Sequence, residues 1–188
     1  MKKTHLIWGL IIIAFYACNN RNQSLSNHSD SSSVGMDKTS IVNGDDIIII
    51  DTSNEHRKGY YTHIDKETLK NTNFRKVLYT GKNMQLVLMS LRPGEDIGEE
   101  VHPNVDQFFR FESGKGKCII NKDHYDVHEG DVIIVPAGAK HNVINTSSLK
   151  FLKMYTIYSP PQHKDGIIRA TKNDAEINSE TYNGIPTE

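Results

Sequence analysis

From Asn73 onward, apolar and polar positions alternate in short runs separated by turn residues. Asn73–Tyr79 stops at Thr80-Gly81-Lys82-Asn83, and Met84–Arg92 stops at Pro93-Gly94. Gln107–Glu112 meets Ser113-Gly114-Lys115-Gly116, Lys117–Ile120 meets Asn121-Lys122-Asp123, and His124–His128 meets Glu129-Gly130-Asp131. Val132–Val135 is β-branched throughout and ends at Pro136-Ala137-Gly138; His141–Asn145 and Leu149–Tyr158 complete the series before Pro160-Pro161. Successive side chains on a strand face opposite ways, so runs of this length and spacing predict an all-β sandwich or barrel rather than a parallel α/β sheet. Helix is confined to two short turns, Lys66–Lys70 capped by Asp65 and Lys172–Ile177 capped by Thr171. Ile47–Ile50, flanked by acids, reads as an added N-terminal strand, and the polar stretch after Gln162 as a tail that wraps or frays.

The N-terminus has a different pattern. Met1-Lys2-Lys3 precedes an apolar run from Leu6 to Ala17. Spanning a bilayer takes roughly 20 apolar residues, so this shorter run fits the apolar region of a secretory signal peptide. It ends at Ala17-Cys18, which resembles the bacterial lipoprotein signal, where the cysteine is lipidated after cleavage; an ordinary signal peptide with an incidental cysteine is the alternative. Asn19–Ser33 carries six serines, four asparagines and one large apolar residue, Leu25. Such a segment cannot bury enough surface to offset its ordering entropy and reads as a flexible tether. The expected division is signal peptide 1–17, tether 18–43, β domain 44–165 and tail 166–188, with the protein lipid-anchored in the cell envelope.

Composition narrows the picture further. At 188 residues with 37% hydrophobic and 24% charged positions, one globular domain is expected. Lys+Arg is 22 against Asp+Glu 23, a formal charge of -1, and no basic cluster marks a nucleic-acid surface. Of the two cysteines, lipidation of Cys18 would leave Cys118 alone, so no intrachain disulfide is expected.

Two spacings carry chemistry. Gly94 leads to Glu100, His102, Gln107 and Gly114; Gly130 leads to Pro136, Gly138, His141 and Asn145. This pair resembles the two signature motifs of the cupin superfamily. Glu100-Val101-His102, Asp106-Gln107-Phe108-Phe109-Arg110 and Tyr155-Thr156-Ile157-Tyr158-Ser159-Pro160-Pro161 are similar to small single-domain bacterial cupins. The resemblance implies a double-stranded β-helix (jelly-roll) barrel with minor short helices and a divalent metal ion in its mouth. The usual ligands, three histidines and a glutamate, map onto Glu100, His102, Gln107 and His141, with the first histidine replaced by Glu100 and the glutamate by Gln107. It also implies a small-molecule substrate or ligand, and a homodimer.

The residue types support such a site independently. Glu100 and His102, two apart, share a strand face; Gln107, Phe109 and Phe111 share another, opposite Phe108, Arg110 and Glu112. Imidazole with carboxylate suits iron, manganese, nickel or zinc, and two histidines with one carboxylate approximate the non-haem iron arrangement. One carboxylate is kept while its position moves, so the charge of the ligand set is unchanged. Asp106 competes with Gln107 as the harder oxygen ligand, but its parity is wrong unless a bulge intervenes. His124, Asp126 and His128 share a face that reads as the solvated side of a hairpin, and His163, after the Pro-Pro turn, is placed to fold back over the barrel. Met84, Leu86, Leu88, Phe109, Phe111, Ile133, Val135, Tyr155 and Ile157 are the candidates for core and pocket lining. Function divides between a metal-dependent enzyme, oxygenase- or isomerase-like, and a non-catalytic metal- or ligand-binding envelope lipoprotein; a metal-free structural domain is a third reading.

Overall fold

The computed structural model describes residues 38–43, 46–51, 57–178 and 180–188. The signal peptide, Cys18 and the Ser/Asn-rich stretch lie outside the described residues.

Two units are distinct. In the first, β1 (Lys38–Asn43) and β2 (Asp46–Asp51) form an antiparallel hairpin with Lys38 opposite Asp51. Lys38–Asn43, assigned to the tether on composition, is thus strand; Ile41-Val42 supplies the β-branched character that the serine tract lacks.

The second unit begins at Asn54 and holds α1 (Ile64–Lys70), β3 (Arg75–Thr80), β4 (Gln85–Leu91), β5 (Glu100–Val101), β6 (Asp106–Ser113) and β7 (Lys115–Ile120). It continues with β8 (Asp123–His128), β9 (Val132–Val135), β10 (Lys140–Asn145), β11 (Leu152–Ser159), β12 (Ile168–Arg169) and α2 (Lys172–Ile177). Two antiparallel sheets, β12-β3-β4-β11-β6-β9 and β5-β10-β7-β8, make a jelly-roll sandwich. Their inner faces share one core in which Val87, Met89, Phe109, Phe111 and Met154 meet Cys118, Val127 and Val143. Burial pushes the Cys118 thiol up to about 12, so it is an inert core residue.

Two local features depart from the sequence expectation, and one between them meets it. Helix α1 starts one residue before Asp65, which sits in its first turn, while His63 occupies the N-cap without a side-chain cap bond. Thr171 does cap α2, through a reciprocal box with Asp174. Strand β11 starts at Leu152 because Asn145 ties down the preceding turn, its amide donating to Leu91 O, Arg92 O and Lys150 O.

The inward face of β11 is Leu152, Met154, Thr156 and Tyr158, and that of β4 includes Val87, Met89 and Leu91. Tyr155, Ile157 and Leu86, expected in core or pocket, are half-buried on the outer side, and Met84 is exposed before β4. Both faces of β4 and β11 carry apolar residues because α1 packs on the outer one, so alternation alone does not choose between them.

Gly114, at the β6–β7 turn, has φ +94°, and a Cβ there would lie 2.4 Å from Phe151 O. The tail is bound to the domain: β12 pairs with β3, Thr187 N donates to Thr80 O, and the Glu188 carboxylate accepts from the Lys58 and Gly59 amides.

Candidate metal centre

The site forms where β5 crosses the start of β10. Register places Glu100 directly opposite His141, and His102 follows one residue past β5. Gly138, at φ +80°, donates its N–H to His102 O at 2.9 Å and so holds the β9–β10 turn against the β5 segment. Three donor atoms converge: Glu100 Oε2 lies 3.4 Å from His102 Nε2 and 3.9 Å from His141 Nε2. One ligand atom from each of the three residues falls within 4.8 Å of the others. Among the described residues this is where two histidines and a carboxylate meet.

The electrostatics suit a cation. Burial alone would raise the Glu100 carboxyl, but the approach of His102 and the Arg75 guanidinium hold it below the usual carboxylate range. Burial pushes His141 down, against its backbone contact with Ala139 and the charge of Glu100. An anionic carboxylate and a neutral imidazole are the ligand forms that a metal requires. His141 Nδ1 lies 3.2 Å from Ala139 O, which fixes the ring with Nε2 free.

Gln107 is fully buried on the inner face of β6; its Nε2 donates to Thr156 Oγ1 at 3.1 Å and its Oε1 has no partner. Asp106 is exposed on the opposite face, where Oδ1 accepts from the Ala137 N–H at 2.8 Å. His124, Asp126 and His128 are all exposed on β8. His163 is buried, its ring edge-on to Tyr158 at 4.9 Å and its Nδ1 3.4 Å from Glu180 Oε2.

Arg75, Tyr158 and Glu180 enter the site without having been singled out. Arg75 bridges Glu100 Oε1 at 3.4 Å and Glu180 Oε2 at 2.5 Å. Glu180 also takes Arg169 Nε at 3.0 Å. Tyr158 stands opposite Gln107 across β6 and β11, its ring 5.8 Å from that of His102. Tyr158 carries a local signal, the Tyr155–Pro161 motif; Arg75 and Glu180, 105 residues apart, carry none.

Ten buried side-chain polar atoms lack a hydrogen-bond partner among the described residues, and seven belong to this one mouth: Glu100 Oε2, His102 Nε2, His141 Nε2, Gln107 Oε1, Arg75 Nε, Tyr158 Oη and His163 Nε2. Buried polar groups are nearly always paired, so this concentration singles the mouth out as the candidate site. A cleft of about 220 Å³ adjoins it, with Arg75, Glu100 and His102 on the barrel side and Gln162, His163 and Glu180 on the tail side. A larger hollow of about 500 Å³, along Ser113–Lys115 and Thr146–Lys150, contains none of these atoms.

Residues 87–158 match the Cupin domain family. The chain is 49% identical over 124 residues to the uncharacterized protein YrkC of Bacillus subtilis, covering 63% of this chain and 66% of that protein. It is 46% identical over 112 residues to the uncharacterized protein L612 of Acanthamoeba polyphaga mimivirus, covering 58% and 70%. Among solved structures, BH2720 of Bacillus halodurans superposes with a TM-score of 0.63 at 40% identity, over 65% of this chain and 97% of that one.

Proposed function

This chain belongs to the cupin superfamily, and from that premise we propose that it is a divalent-metal enzyme acting on a small organic molecule, with Glu100, His102 and His141 as protein ligands and Gln107 Oε1 as a fourth. The observation that carries the reading is the convergence of three unpartnered donor atoms, two imidazole nitrogens and a carboxylate oxygen, within 4.8 Å of one another. The donor set fits iron, manganese, nickel or zinc. When bound, the ion supplies Lewis-acid polarisation of a substrate oxygen. A six-coordinate ion held by these four protein ligands would keep positions for a substrate, as a catalytic rather than purely structural site requires.

The chain's own residues do the rest. Arg75 holds Glu100 Oε1 and leaves Oε2 to face the two histidines. Thr156 accepts from the Gln107 amide and so turns Oε1 away from the hydroxyl. Phe109, edge-on to His141 at 6.2 Å, backs the site with apolar surface and limits water behind the ligands.

Elemental analysis of the purified protein after dialysis against a mild chelator tests the reading: about one metal ion per chain is expected, and a metal-free chain that stays metal-free when offered these ions would sink it. Location at the cell envelope through a lipidated Cys18 is part of the same proposal and rests on Lys2-Lys3, the Leu6–Ala17 run and Ala17-Cys18.

A further inference from the structure

Once the four donors of the proposed ligand set are set aside, three unpartnered buried atoms remain at this mouth: Arg75 Nε and His163 Nε2, whose residues line the cleft, and Tyr158 Oη, whose ring lies against His163 at 4.9 Å. Their residues are 5%, 0% and 6% exposed. A buried polar atom left without a partner is destabilising, so three at one mouth call for a ligand that satisfies them together.

What each lacks is specific. Arg75 Nε–H can only donate. The Tyr158 phenol is a hydroxyl with a hydrogen to give. His163 Nδ1 faces Glu180 Oε2 at 3.4 Å, which places the ring proton there and leaves Nε2 as an acceptor. Burial also pushes the His163 imidazole down, keeping that lone pair free. The complement is therefore a molecule with oxygen acceptors for Arg75 and Tyr158 and a hydroxyl to donate to His163.

Charge selects further. Glu180 is already matched by Arg75 and Arg169. A divalent ion with Arg75 and Arg169 outweighs Glu100 and Glu180 by two positive charges, which favours an anion. At about 220 Å³ the cleft falls below the roughly 300–1,000 Å³ that accommodates drug-sized ligands.

We propose that the cleft between the barrel mouth and the C-terminal segment binds a small 2-hydroxy acid, its carboxylate taken by Arg75 and Tyr158 and its hydroxyl by His163. This inference rests on the metal reading above, because the oxygens of such an acid also chelate an ion held by Glu100, His102 and His141. Selectivity then comes from residues at and beyond the end of the family match at 158, with Glu180 positioning His163.

The test is calorimetric titration of the zinc-loaded protein with glycolate, acetate and hydroxyacetone, with zinc counted before and after. Acetate lacks the hydroxyl and hydroxyacetone lacks the charge, so glycolate is expected to bind at least tenfold tighter than either. His163→Phe keeps a ring against Tyr158, and Tyr158→Phe removes only an unpartnered oxygen; each is expected to cut that lead at least fivefold with zinc content unchanged. Equal affinity for glycolate and acetate, absence of glycolate binding to zinc-loaded protein, or a lead that survives both substitutions overturns the inference. A chain that cannot be loaded with zinc, iron, manganese or nickel overturns the metal reading beneath it.

Discussion

Arg75 Nη2 approaches one oxygen of Glu100 at 3.4 Å, while the other oxygen of the same carboxylate faces His102 and His141. The guanidinium thus divides the carboxylate between an ion pair and a donor that faces the two histidines. Because Arg75 is anchored in turn by Glu180, the C-terminal segment bears on the orientation of a carboxylate 80 residues earlier.

Glu100 is the anionic member of the proposed ligand set. Glu100→Gln keeps the shape and leaves two neutral imidazoles and an amide to offset a dication, so metal affinity should fall by about 3 kcal/mol or more. His102→Ala and His141→Ala should likewise lose the ion. Gln107→Glu should retain it or hold it more tightly, since it adds a second carboxylate. Asp106→Asn should leave metal content unchanged, because Asp106 faces outward to the Ala137 amide. Metal per chain across these variants is the measurement; loss of the ion in Asp106→Asn with retention in Glu100→Gln would reverse the assignment.

Asn145, the last residue of the second motif, is structural. It satisfies three carbonyls and accepts from the Ser147 amide while almost fully buried. Asn145→Ala should destabilise the domain by about 2–4 kcal/mol in urea unfolding, with metal content per folded chain unaltered.

Acidification should destabilise the metal-free protein in two stages. His141 and His163 are both pushed below their ordinary 6.5, so the unfolded chain binds more protons than the folded one as pH falls through that value. Stability is present above 6.5 and declines below it. Glu100 and Glu180 are held below their ordinary 4.5 despite burial, chiefly by their His102 and His163 contacts and by Arg75, and a second decline follows beneath that value. Chemical denaturation at a series of pH values reads the slope; stability that rises between pH 7 and 5 would contradict the neutral-imidazole assignment.

Cys18→Ala should release the protein from the membrane fraction when it is expressed with its N-terminal segment. A single acyl chain binds only marginally, so the expected anchor is a multiply acylated cysteine. Equal membrane association of the variant would rule out the lipid anchor.

Much of this protein is determined by local sequence. Strand runs bounded by Gly, Asn and Pro turns placed the eight longer strands from β3 to β11, β5 apart, because alternation and turn chemistry act within a few residues. The Thr171 cap was legible for the same reason, while its reciprocal bond with Asp174 was seen only in the fold. The Glu100, His102 and His141 cluster could be read from motif spacing, and the buried inner face of Gln107 from its parity with Phe109 and Phe111. Only the tertiary structure decided the rest. Two-residue β5 and β12 exist through their partners β10 and β3, and are too short to show a period. The inward face of β4 and β11 was set by α1 covering the other side. Arg75, His163 and Glu180 meet because the tail folds back onto the barrel, and an ion pair across 105 residues leaves no periodic trace in the chain that makes it.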